Sequence, residues 1–125
     1  METIMKGAQV QSERALQYFE LPIYPLRAPD HAKYIIAQNE KGEEYLIAVS
    51  LRDYPNDLYH DDILREARLV LGKTLRCIGG GRLKPGEHGE WFVTGKSTVF
   101  GEDLDKERTA ATFTQHFKGT RFIVG

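Results

Sequence analysis

Two apolar runs set side by side constrain this chain most: Ala32 to Gln38 (AKYIIAQ) and Glu43 to Ser50 (EEYLIAVS). Their density of Tyr, Ile, Val and Leu favours strands, and the turn-forming link Asn39-Glu40-Lys41-Gly42 makes them a β-hairpin. Just beyond, the apolar period lengthens. From Leu58 to Leu71, Tyr59, Ile63, Ala67 and Val70 form one helical stripe, widened by Leu64 and Leu71. Pro55-Asn56-Asp57 breaks the strand pattern and offers an N-cap; Gly72 is a natural C-terminal stop.

The rest of the chain continues the alternation. Leu75 to Ile78 reads as a strand running into Gly79-Gly80-Gly81, and Trp91 to Thr94 as another, with Thr98-Val99-Phe100 continuing or re-entering the sheet. Asp103 or Asp105 caps a last helix reaching about Phe117, with Ala110, Phe113 and Phe117 inward; Thr120 to Val124 is a closing strand. Before the hairpin, Ser12 to Phe19 reads as a short helix capped by Ser12, after a loose tail over residues 1–11. Pro22, Pro25 and Pro29 then keep the chain extended. A sheet with helices packed against it buries all these faces most simply. The expected division is an N-terminal extension over 1–20 and one domain over 21–125.

Composition limits the function classes. A chain of 125 residues fits one domain with a real core. No apolar run is long enough to span a bilayer, and Met1-Glu2-Thr3-Ile4-Met5-Lys6 lacks the apolar stretch of a secretory signal, so the cytoplasm is expected. The single cysteine, Cys77, excludes an internal disulfide and a thiolate cluster. A net charge of −1 does not suit a general nucleic-acid binder. His31, His60, His88 and His116 show no metal-ligand spacing, so neither metal nor other cofactor is expected.

Four local patterns touch on phosphate chemistry, and two fail on spacing. Gly95-Lys96-Ser97 resembles the end of a P-loop, but Glu90 stands where that loop needs its first glycine. Cys77 and Arg82 have four residues between them, where a cysteine-phosphatase cradle has five; the thiol reads better as a small buried hydrophobe. The third pattern is His60, in the first helical turn, where unpaired N–H groups and the helix dipole attract anions and disfavour imidazolium. A neutral imidazole there can act as base or nucleophile, although helix position alone does not make a histidine catalytic. The fourth is Gly95-Lys96-Ser97-Thr98-Val99, whose donors can face a phosphate or can simply form a strand-connecting turn.

Together these blocks resemble the phosphohistidine phosphatases, also called the Janus/ocnus family. Leu58-Tyr59-His60-Asp61-Asp62-Ile63 is similar to the helix start that carries their active histidine. Leu75 to Arg82 is similar to their triple-glycine segment, Trp91 to Gly101 to their strand with its glycine-serine turn, and Ala32 to Ile36 to their first core strand. The resemblance covers roughly residues 21–124. It implies an α/β sandwich (α+β) with a mixed sheet of about six strands flanked by two main helices. By position it makes His60 the catalytic residue and gives phosphate binding to Lys33, Ser97, Thr98 and Val99, with Arg52 and Arg82 as further basic groups. Asp105 stands where animal members carry a second histidine. The implied activity is metal-independent hydrolysis of the P–N bond of phosphohistidine. The expected partner is a phosphohistidine protein or a small phosphoramidate, without nucleic acid or membrane, and the expected state is a monomer. A phosphate-binding module without turnover and a phosphatase for phospholysine are the alternatives.

Overall fold

The computed structural model describes residues 16–19, 26–52 and 59–125. Over these residues it is an α+β fold, a six-stranded mixed sheet with two helices. The strands are β1 (Gln17–Phe19), β2 (Ala32–Gln38), β3 (Glu44–Ser50), β4 (Arg76–Pro85), β5 (Trp91–Thr94) and β6 (Phe122–Val124). The helices are α1 (His60–Leu71) and α2 (Lys106–His116). The sheet order is β1-β3-β2-β4-β5-β6, with the edge pairs β1/β3 and β5/β6 parallel and the others antiparallel.

The β2–β3 hairpin sits at the centre, and its alternation divides the core. Tyr34 and Ile36 of β2, with Leu46 and Ala48 of β3, face α2 and meet Ala110, Phe113 and Phe117. Ile35 and Ala37, with Ile47 and Val49, face the other way onto Ile63, Leu64 and Ala67 of α1. Each helix thus covers one face. Asn39 closes the hairpin turn as expected: its side-chain oxygen accepts from the N–H groups of Lys41 and Glu43.

Several expectations need correction. Gln17–Phe19 is a strand rather than part of a helix; residues 12–15 lie outside the described residues, as do the tail, Pro22, Pro25 and Pro55-Asn56-Asp57. Long-range contacts decide the strand: Tyr18 stacks on His116 at 3.7 Å between ring centroids and gives its hydroxyl proton to the Leu26 carbonyl. The N-cap of α1 is Tyr59, whose N–H donates to the Asp62 carboxylate at 2.9 Å. The buried stripe of α1 is His60, Ile63, Leu64 and Ala67, while Tyr59 and Val70 are exposed. Ile63, Leu64 and Ala67 are buried as expected and Leu71 packs against them; an imidazole takes the first inward position in place of Tyr59.

The glycine run does not end its strand. β4 passes through Gly79-Gly80-Gly81 to Pro85, with one extra residue accommodated near Ile78, where Ile36 pairs with Gly79 but Ala37 pairs with Cys77. Thr98-Val99-Phe100 is a turn rather than a strand, closed by two backbone hydrogen bonds between Ser97 and Gly101. Asp105 caps α2 by accepting from the Arg108 N–H at 3.2 Å; Asp103 is buried nearby in a different role.

Phe113 is fully buried against Tyr18, Tyr34, Phe117 and Phe122, so Phe113→Ala is expected to cost about 3–5 kcal/mol in urea unfolding. Leu104, 91% exposed, is the contrast: Leu104→Ser is expected to change stability by less than about 0.5 kcal/mol.

Candidate functional site

His60 is the first residue of α1 and is buried, although its neighbours Tyr59 and Asp61 are exposed. The ring reaches the sheet because β4 has no side chain where it lands. A β-carbon on Gly80 would lie 2.8 Å from His60 Cδ2 and 2.8 Å from the Tyr34 carbonyl oxygen. On Gly81 it would lie 2.7 Å from the Tyr34 hydroxyl and 2.8 Å from the Thr94 carbonyl. On Gly79 it would lie 2.6 Å from the Glu102 carbonyl. All five distances are shorter than real contacts allow, so the run is glycine because His60, Tyr34, Thr94 and Glu102 all approach the same stretch of backbone.

His60 Nε2 lies 3.0 Å from the Gly81 carbonyl oxygen. A carbonyl only accepts, so Nε2 carries the proton and Nδ1 of the neutral ring holds the lone pair. Burial pushes the imidazole pKa below its ordinary value; the Gly81 hydrogen bond opposes this, and the positive charges of Lys33 and Arg82 add to it. The ring therefore stays neutral further into the acid range than a solvent histidine.

Lys33 and Arg82 are cross-strand partners of β2 and β4, so they project from the same face, that of α1. Burial lowers the Lys33 pKa first, and the Arg82 charge lowers it further; Asp62 partly offsets both. Like charges placed directly opposite each other repel, and an anion between them would relieve that cost. The Lys33 ammonium also lies 5.4 Å from the centre of the Tyr59 ring.

The Ser97 to Gly101 turn docks against the same glycines. Gly80 donates its N–H to the Gly101 carbonyl at 3.2 Å, and the Asp103 N–H donates to the Gly80 carbonyl at 3.3 Å. Phe100 packs into the α1-side core. Ser97 is buried and its hydroxyl oxygen accepts from the Phe100 N–H at 3.0 Å, whereas Thr98 and Val99 are exposed. The stem of Arg82 runs beside Gly95, whose β-carbon would lie 3.6 Å from Arg82 Cγ. His60, Lys33, Arg82 and the Ser97-Thr98-Val99 turn thus share one stretch of the β4 backbone. Arg52 has its described ion pair elsewhere: its guanidinium lies 3.3 Å from the Asp30 carboxylate. Lys96 lines a cavity of about 440 Å³ with Glu102 and Lys106, a cavity to which neither His60 nor Lys33 contributes.

The two rejected motifs have simple structures. No helix follows Gly95-Lys96-Ser97, since α2 begins at Lys106, so no P-loop forms. Cys77 to Arg82 lies along a strand and not around a cradle. The Cys77 thiol donates to the Gly79 carbonyl at 3.2 Å, and burial pushes its pKa up to about 11, far from a reactive thiolate. Among the described residues no group of three His, Cys, Asp or Glu side chains is arranged to hold a metal ion.

One group was not legible from spacing: Tyr34, Asp103 and Thr109, buried on the α2 side directly behind Gly81. The Tyr34 hydroxyl donates to Asp103 Oδ2 at 2.7 Å, and Thr109 donates to the same oxygen at 2.6 Å. An acidic residue shortly before a helix suggests a cap, and only its burial reveals the other use.

Gly80→Ala tests the close approach. It is expected to cost about 1–3 kcal/mol in chemical unfolding and to shift the His60 ring signals in NMR spectra, because both the ring and the Tyr34 backbone block the new methyl group.

Comparison with known proteins agrees with this arrangement at the level of family. The family model of the Janus/Ocnus family matches residues 20–121, which include every site residue named above. No curated protein matches the chain. With that match over most of its length, the chain belongs to the Janus/Ocnus family.

Proposed function

We propose that this protein is a protein histidine phosphatase that hydrolyses the P–N bond of phosphohistidine with His60 as its catalytic residue. One observation carries this reading: a buried imidazole with Nε2 committed to the Gly81 carbonyl, beside the facing cations Lys33 and Arg82. A neutral base with one available lone pair, next to paired positive charge, suits attack on an anionic phosphoryl group.

In this mechanism Lys33 and Arg82 draw the phosphoryl oxygens to the α1 face. The Ser97 N–H donates to the Gly101 carbonyl, so within the Ser97-Thr98-Val99 turn the Thr98 and Val99 N–H groups, with those of the α1 N-terminus, supply further donors. The Ser97 hydroxyl holds the turn in shape, while Thr98 and Val99, both exposed, contribute backbone more than side chain. His60 Nδ1 takes a proton from water as the water oxygen bonds to phosphorus. The P–N bond breaks, and the departing imidazole nitrogen takes up the proton that His60 Nδ1 accepted from the water. In the other form of the step, Nδ1 itself bonds to phosphorus while the substrate's P–N bond breaks and the departing imidazole nitrogen takes a proton from solvent water; a second water then releases phosphate from His60. Trapping in an acid-free quench distinguishes the two, since only the second leaves phosphate on His60. The protein would work without a metal, in the cytoplasm and as a monomer.

His60→Ala is expected to reduce phosphate release from a phosphohistidine peptide by about 10²–10⁴-fold, in the presence of EDTA, with the fold retained. Retained turnover would remove His60 from the chemistry. Binding of phosphohistidine without release by the wild type would favour a reader module, and equal turnover of phospholysine would widen the substrate class. Lys33→Ala is expected to weaken phosphate binding, most of all at low salt, and a titration matching wild type would remove Lys33 from the site. Cys77→Ser should leave turnover intact.

The pH dependence has a definite sign. The folded His60 pKa is depressed, so its neutral form, and with it kcat/KM, is fully present above the ordinary imidazole range. Activity is lost only as pH falls through the depressed value, below the usual ~6.5. An acid limb at or above that value in the kcat/KM profile would contradict the assignment.

A further inference from the structure

The buried trio behind the sheet touches both halves of the candidate site without belonging to either. Tyr34 is fully buried on the α2 side, and its hydroxyl occupies the space where a Gly81 side chain would be, 2.7 Å from the virtual β-carbon. On the opposite face the Gly81 carbonyl accepts from His60. Asp103, 5% exposed, receives the Tyr34 proton at Oδ2 and the Asp105 N–H at Oδ1, 3.0 Å away. Its own N–H donates to the Gly80 carbonyl, one residue from the His60 acceptor. The segment that begins with the Ser97–Gly101 turn is therefore fastened to β4 through Asp103, and Asp103 is fastened to β2 through Tyr34.

From this we infer that Tyr34 and Asp103 are positioning residues: their hydrogen bond sets the Gly80-Gly81 backbone, and with it the His60 ring, in register with the Ser97–Gly101 turn. The inference rests on the proposed role of His60 for its link to turnover, but not for its structural content. The sheet is one backbone thick at this point, so a shift of Gly81 toward the space left by a missing hydroxyl moves the carbonyl that fixes the imidazole. The phenol suits this task because burial and the adjacent Asp103 charge hold its pKa well above the ordinary value, so it remains a donor at any working pH. An apolar ring of the same shape would fill the core equally well but would not hold Asp103.

Tyr34→Phe is the direct test, in the full chain, with two readouts. The first is the His60 tautomer, from the ¹⁵N shifts of the ring at neutral pH. Wild type is expected to be protonated at Nε2, and Tyr34→Phe to become a mixture of the two tautomers. The second is turnover of a phosphohistidine peptide below the unfolding temperature. A fall in kcat of about 10- to 100-fold with little change in KM is expected, as for a misplaced catalytic group. Asp103→Asn provides an independent variant and the substitute should Tyr34→Phe not fold. It retains an oxygen for Tyr34 but presents a donor where the Asp105 N–H is accepted, so it should move the His60 signals and the Ser97–Gly101 amide signals together. A lower Tm with unmoved His60 signals in the folded variants would make the pair purely structural and overturn the inference. Absence of phosphohistidine turnover in wild type would instead count against the phosphatase assignment, while the tautomer measurement would still decide the positioning role.

Discussion

At Gly80 and Gly81 the backbone of β4 runs between an imidazole on one face and a phenol on the other, and neither leaves room for a side chain. Everything else about the site is arranged around that crowding. The imidazole arrives because His60 holds the first inward place of α1, and the rest of its stripe, Ile63, Leu64 and Ala67, is anchored in the core. The phenol arrives from β2, in register with Gly81. Packing energy from two separate cores thus fixes the distance between a titratable ring and a single carbonyl oxygen. A histidine on a loose loop would have to lose conformational freedom for the same contact; here folding has already supplied the ordering.

The electrostatics follow from the same placement. Desolvation keeps His60 neutral, and the cross-strand pair Lys33 and Arg82 adds positive potential on the side where the ring sits. Cations facing each other across two strands work against stability. The chain accepts a local cost at the site and recovers it in the twin cores on either side.

Much of this architecture was legible in the residues, and the gaps have physical causes. The hairpin, α1, α2, β5 and β6 follow from period and turn chemistry because local preference and tertiary packing agree there. The glycine run reads as a strand end because glycine usually weakens a strand. Here four residues approach it closely, which no local pattern encodes. The α1 stripe differs from the expected one at its start, where His60 and not Tyr59 turns inward, because a buried histidine does not count as apolar. β1 was unreadable from Gln17–Phe19 alone, since it exists through Tyr18 packing on residues about a hundred positions away. Of the site residues, His60, Lys33 and the Ser97 turn came from resemblance to a family. The pairing of Lys33 with Arg82 and the buried role of Asp103 needed the strand register.

The two edge strands, β1 and β6, have a consequence for behaviour in concentrated solution. Each is three residues long and each runs parallel to its inner neighbour. Among the described residues, a foreign strand seeking to extend the sheet would find only a few unpaired backbone groups on either side. The longer and more apolar strands β2 and β3, which would be strong templates for self-association if exposed, lie inside the sheet with partners on both sides. The arrangement protects the protein against edge-to-edge aggregation by keeping its most adhesive strands in the middle.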